Sequence, residues 1–205
     1  VFSLSAIVTH LPTASLVVPL MAKAQSLIDS SPMMSPHPSA LPIGLIGLGL
    51  MGGAFAARLL RAGFVVVGCD IDPTCCAAFV KQGGDSLGTT EDVLRRCDRV
   101  IFSLPSHREV AQVVAEASEA LRPGQIIIDT TTGHPTATME LAGELAVRGV
   151  TYLDATISGN SAQVRDGFAV VMVGAAPRLS PLVATCLRCW GRRRSTPERP
   201  AQVRR

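Results

Sequence analysis

An α/β fold on a doubly wound, mostly parallel sheet is what this sequence predicts, and three observations carry the prediction. Between residues 42 and 187 short β-branched runs alternate with amphipathic stretches, as successive βαβ units do. The first run, Ile43-Gly44-Leu45-Ile46, passes directly into Gly47-Leu48-Gly49-Leu50-Met51-Gly52 and then into a helix-like segment. The second run, Val65-Val66-Val67-Gly68-Cys69, ends on an acid, Asp70, about 20 residues beyond the glycines. The 205 residues suit one ordinary domain with extra segments, and 47% hydrophobic with 17% charged residues excludes disordered and fibrous chains.

Strands are expected over residues 43–47, 64–69, 99–104, 125–129, 150–153 and 168–173, each a short apolar or β-branched run. Helices are expected over 51–61, 73–81, 106–121, 135–148 and 177–187, where apolar residues recur with helical spacing. Two start signals support the pattern locally. Thr89-x-x-Asp92 reads as a weak cap ahead of Val93, and Ser106-x-x-Glu109 has the full capping-box pattern. Pro12, Pro19, Gly44 and Gly47 break the longest apolar runs well before the roughly 18 residues that cross a bilayer, so no transmembrane helix is expected.

Both ends read as foreign to this pattern. Residues 1–41 start at Val1, show no sustained period and become rich in Ser and Pro from Ser26 onward. Their first basic residue is Lys23 and prolines interrupt the apolar run, unlike a secretory signal. A disordered or non-native extension is expected there, with Met33 or Met34 as the natural start. Residues 188–205 lose all periodicity and hold seven arginines against one acid, a net of +6 that leaves −3 for the rest of the +3 chain. A basic disordered tail is expected, and with only Trp190 interleaved among the arginines, nucleic acid is a disfavoured partner. Cys69, Cys75, Cys76, Cys97, Cys186 and Cys189 fall mostly in apolar stretches, where cysteine acts as a small hydrophobe, which fits a reducing, cytoplasmic setting. Cys186-x-x-Cys189 lacks a second pair, so no metal site is expected.

The chemistry sits on the glycine turn. Gly47 would allow a tight turn, Gly49 would let the backbone approach a pyrophosphate, and Gly52 would let the helix pack closely on the strand, with the phosphates at the helix N-terminus. Asp70 is placed to accept hydrogen bonds from a ribose diol. Its charge would repel a 2′-phosphate, and Ile71-Asp72-Pro73-Thr74 offers no arginine to receive one, so NAD is expected over NADP. Two other readings stay open: glycines serving helix–sheet packing alone, and an S-adenosylmethionine enzyme, which the complete third glycine disfavours.

Further stretches complete a pattern: Ser103-Leu104-Pro105-Ser106, Asp129-Thr130-Thr131-Thr132-Gly133-His134-Pro135, Asp154-Ala155-Thr156-Ile157-Ser158-Gly159-Asn160, and Gly167 with Val171-Met172-Val173-Gly174. With Gly47 to Gly52, where Met51 stands, they make residues 42–185 resemble the β-hydroxyacid dehydrogenases, the family of 3-hydroxyisobutyrate dehydrogenase and tartronate semialdehyde reductase, related to 6-phosphogluconate dehydrogenase. The resemblance implies a Rossmann-type dinucleotide-binding domain over 42–187. It also implies hydride transfer between a nicotinamide and a small 3-hydroxyacid or semialdehyde, and a homo-oligomer for the full-length family member. Gly47, Leu48, Gly49, Leu50, Met51, Gly52 and Asp70 are the expected cofactor residues. By the resemblance Leu104, Pro105 and Thr132 line the nicotinamide side, and Ser158, Gly159 and Asn160 hold the substrate.

Thr156 stands for the family's proline, Ile157 for its valine, Asn160 for its second glycine and Phe168-Ala169 for its Thr-Leu, so the particular hydroxyacid stays open. Asn160 can adopt some glycine-like conformations and offers a ligand an amide. The family's acid–base lysine follows this region, whereas the two lysines here are Lys23 and Lys81, and His107 and His134 are poor substitutes. No catalytic residue is therefore assigned. The expectation is a truncated or frameshifted dehydrogenase, without the family's helical C-terminal domain and inactive as it stands; the alternative is a non-catalytic dinucleotide-binding module.

Overall fold

The computed structural model describes residues 41–174 and the backbone of residues 191–195. Its strands are β1 (Ile43–Ile46), β2 (Val66–Cys69), β3 (Asp85–Ser86), β4 (Arg99–Phe102), β5 (Ile126–Asp129), β6 (Thr151–Ser158), β7 (Ala169–Val173) and β8 (Gly191–Ser195). They form one sheet in the order β3-β2-β1-β4-β5-β6-β7-β8. Every neighbouring pair is parallel except β6 and β7, which run antiparallel. The chain starts at the centre, winds outward through β2 and β3, returns to lay β4 beside β1, and winds outward the other way. That reversal between β1 and β4 opens a crevice at the carboxyl ends of the strands.

Parallel strands covered on both faces are buried at every position, and all four residues of β1, β2 and β4 are buried, with Arg99 at the start of β4 the one charged residue among them. Alternate residues feed two cores. Leu45, Ile101 and Ile128 meet Phe55 and Leu59 of α1 (Leu50–Arg61), Phe79 of α2 (Pro73–Lys81) and Val164 of α6 (Ser161–Asp166). Ile46, Val100, Phe102 and Ile127 meet Val93 and Leu94 of α3 (Thr90–Arg96), Val110 and Val114 of α4 (His107–Glu116), and Leu145 of α5 (Pro135–Val147). Each such large apolar side chain stabilises by roughly 1.5–3 kcal/mol on burial, so the two layers clamp the sheet that carries the crevice.

The expected strand 150–153 extends into an eight-residue β6, whose first half pairs with β5 and second half with β7. Three short elements stand outside the expected pattern: β3 has two residues, α3 seven and α6 six, too few for a hydrophobic period to register. The Thr89 signal does mark α3, since Thr89 Oγ1 accepts the Asp92 N–H at 3.2 Å. Ser106 departs from the expected box. Its Oγ accepts the Arg108 N–H at 3.2 Å and donates to the Glu109 carboxylate at 2.5 Å, and the reciprocal box forms instead between Asn160 and Gln163. Within the stretch expected to be patternless, Gly191–Ser195 pairs with β7. The expected helix 177–187, the Cys186-x-x-Cys189 pair and residues 1–40 lie outside the described residues. No helix among the described residues is long and apolar enough to cross a membrane.

Candidate functional site

Four strands end on one cleft of about 1040 Å³. The residue after each of β1, β2, β4 and β5, namely Gly47, Asp70, Ser103 and Thr130, lines it. The volume lies just above the range of small-molecule sites, about 300–1,000 Å³, which leaves room for an extended ligand.

The three glycines of the turn have different causes. Gly47 has φ +89°, and a Cβ there would lie 2.3 Å from the Ser103 carbonyl oxygen. At Gly52 a Cβ would lie 1.9 Å from the Gly47 carbonyl oxygen, so α1 can approach β1 only without a side chain. Gly49 is constrained by neither effect: its φ is −61° and a Cβ would meet no atom within 4 Å. The open space lies in the cleft at the start of α1, whose first turn carries no acid and whose N-cap, Gly49, offers no side-chain acceptor. First-turn N–H groups lack partners within the helix and favour an anion. A pyrophosphate fits this cradle.

Asp70 closes the turn from the side. Its Oδ2 accepts the Leu48 N–H at 2.5 Å and its Oδ1 the Asp72 N–H at 2.9 Å, while the residue lines the cleft. Leu48 departs from expectation: its side chain is in the core and it does not line the cleft. Leu50 and Met51 do line it. Beside Asp70 stand Cys69 and the Gly88–Thr90 loop, which sequence reasoning left unassigned although the Thr89 cap signal marked the loop. Burial pushes the Cys69 thiol up to about 11, so it is a neutral wall rather than a nucleophile. From α4, Glu109, Gln112, Val113 and Glu116 complete this side. The Ser106 hydroxyl holds the Glu109 carboxyl below the usual range.

At the opposite end Leu104, Pro105 and Thr132 line the cleft as expected, joined by Thr130 and Thr131. Thr130 Oγ1 donates to the Phe102 carbonyl at 2.7 Å, and Thr131 Oγ1 accepts the Leu104 N–H at 3.3 Å. Behind them Asp129, 6% exposed, accepts the Thr131 N–H on Oδ1 at 2.9 Å and the Tyr152 hydroxyl on Oδ2. Burial pushes the Asp129 carboxyl up, against the lowering effect of these donors. Burial and the neighbouring carboxylate push the Tyr152 hydroxyl far up, so it remains a donor.

The Asp154–Asn160 stretch reaches the cleft through Ile157 and Gly159. Ser158 and Asn160 are exposed and outside its lining. Asn160 keeps an extended φ of −109° and caps α6, its Oδ1 accepting the Gln163 N–H at 2.9 Å. Its departure from glycine thus serves a helix start. No Lys or His lines the cleft, and no metal-holding cluster is present among the described residues.

Residues 42–197 match the family model of the NAD binding domain of 6-phosphogluconate dehydrogenase. The chain belongs to that family. Among its relatives is the mitochondrial 3-hydroxyisobutyrate dehydrogenase of Rattus norvegicus, 32% identical over 156 residues, which cover 75% of this chain and 47% of that protein. The L-threonate dehydrogenase of Cupriavidus necator is 35% identical over 133 residues, 63% of this chain and 45% of that one. The solved structure of Mycobacterium tuberculosis 3-hydroxyisobutyrate dehydrogenase with L-serine superposes with a TM-score of 0.70 at 27% identity, over 76% of this chain and 54% of that chain. The chain therefore spans about half the length of the family members it matches.

Proposed function

We propose that the cleft binds NAD, with its pyrophosphate on the Gly47–Gly52 turn, its adenosine ribose against Asp70 and its nicotinamide towards Leu104 and Thr131. The reaction served is hydride exchange with a small hydroxyacid or semialdehyde, as the names of the dehydrogenase relatives suggest. One observation carries the cofactor reading: Gly49, at the start of α1, faces open space in the cleft where a Cβ would meet no protein atom, and a pyrophosphate would take that space against the first-turn N–H groups. Asp70 favours NAD over NADP because a carboxylate accepts from a diol and repels a phosphate.

NAD, when bound, supplies a nicotinamide ring that accepts or donates hydride. The chain's own residues bind and orient. The start of α1 neutralises the pyrophosphate, Asp70 fixes the ribose, and the threonine turn with Leu104 walls the nicotinamide end. Ile157 and Gly159 bring the β6 segment to the same cleft, where a substrate would meet the ring. The lining holds no lysine or histidine, so these residues are assigned binding and orientation, not proton transfer.

Titrating the protein with NADH and NADPH, following nicotinamide fluorescence, tests the proposal. Saturable binding of NADH with weaker binding of NADPH is expected; failure of both to bind would remove it.

A further inference from the structure

We propose that Tyr152 and Asp129 form a positioning pair that sets the nicotinamide end of the cleft, an inference resting on the dinucleotide reading above. Neither residue lines the cleft, yet three hydrogen bonds run from them to its wall. The Tyr152 hydroxyl donates to Asp129 Oδ2; Asp129 Oδ1 accepts the Thr131 N–H at 2.9 Å; Thr131 Oγ1 accepts the Leu104 N–H at 3.3 Å. The line thereby crosses from β6 through the end of β5 to the loop after β4. Thr131 and Leu104, at its far end, are wall residues.

A buried carboxylate is an expensive way to fill a sheet core, because it gives up its hydration and here ion-pairs with no cation among the described residues. Its use becomes intelligible from what its oxygens hold. Oδ1 fixes the turn, and Oδ2 is satisfied only while Tyr152 donates to it. With the hydroxyl gone, a buried acceptor is orphaned and the carboxylate gains freedom to rotate, releasing the Thr131 N–H and through it the Leu104 loop. The glycine turn is fixed by a separate set, with Asp70 accepting from Leu48 and Asp72, so the disturbance stays at one end. Tyr152 also borders a smaller cavity of about 280 Å³ with Asp154, Pro135 and Met139, which gives a displaced ring room to move away from the pair.

The test uses the full chain, two ligands and two variants. ADP-ribose lacks only the nicotinamide ring of NADH, so the difference between the two ligands reports the ring's end of the cleft. Tyr152→Phe is expected to weaken NADH binding by about tenfold, the effect of losing a charge-assisted hydrogen bond. The emission of bound NADH should move towards that of the free coenzyme, while ADP-ribose affinity stays within about twofold. Asp129→Asn, which keeps an acceptor for Thr131 and an amide for the Tyr152 oxygen, should lose less NADH affinity than Tyr152→Phe. Unchanged NADH affinity and emission in Tyr152→Phe would overturn the pair's role. So would a parallel loss of both ligands, which marks general loosening. A wild-type chain binding neither ligand overturns the dinucleotide reading and the pair with it.

Discussion

At the Gly47–Gly52 turn the cleft is shaped by backbone and open space between β1 and the start of α1. At the Leu104–Thr132 end the wall is held by side-chain hydrogen bonds among three strands, with Asp129 and Tyr152 behind it. The first end is made by omission: two glycines let the chain pack on itself and the third leaves open space in the cleft. The second is made by commitment, since every polar group behind the wall is spent on another. An end built from missing atoms should tolerate or reject substitutions according to which atom returns. An end built from linked bonds should respond in graded steps.

The sharpest way to break the comparison is within the glycine turn. Gly52→Ala puts a Cβ against backbone that cannot yield and is expected to destabilise by about 3 kcal/mol in urea unfolding. Gly49→Ala enters open space and should leave stability within about 0.5 kcal/mol. Equal losses in the two variants would show that both glycines serve packing alone. Asp70→Ala comes next. It should weaken NADH by about tenfold with little effect on NADPH, and because the carboxylate holds the Leu48 and Asp72 N–H groups, stability should fall by about 1 kcal/mol. An unchanged ratio of NADH to NADPH affinity would remove the ribose assignment.

The smallest effect is a slope. Asp129 is held above the ordinary carboxylate range by burial, so the native state keeps its proton more readily than the unfolded chain. Its contribution is fully present below the unfolded pKa and is lost as pH rises through the raised native value. Urea midpoints measured from roughly pH 4 to pH 8 should therefore show a component of falling stability that Asp129→Asn removes. A variant with the wild-type slope would show that Asp129 does not titrate as its burial requires.

The same contrast explains what was legible in the sequence. Strand, glycine turn, helix and terminal acid are local, so β1, α1, β2 and the places of Gly49 and Asp70 at the cleft could be read from one stretch of residues. The Asp129–Tyr152 bond spans 23 residues, Thr131–Leu104 spans 27 and Thr130–Phe102 spans 28, and no local pattern encodes such pairs. The helix-capping role of Asn160 is hidden for a different reason. Its departure from the family's glycine drew attention to ligands, although Asn160-Ser161-Ala162-Gln163 carries a capping pattern that the structure uses to start α6. Leu48 lies inside the cofactor motif, but the alternation of the turn sends its side chain into the core.

Gly49 is where dinucleotide binding is tested most directly. Titrating wild type and Gly49→Val with NADH, alongside their thermal midpoints, separates a ligand cradle from a packing turn. Wild type is expected to bind, the variant to lose affinity by on the order of 100-fold as its side chain fills the pyrophosphate space, and the two midpoints to agree. A Gly49→Val protein that binds NADH as tightly as wild type would contradict the ligand cradle.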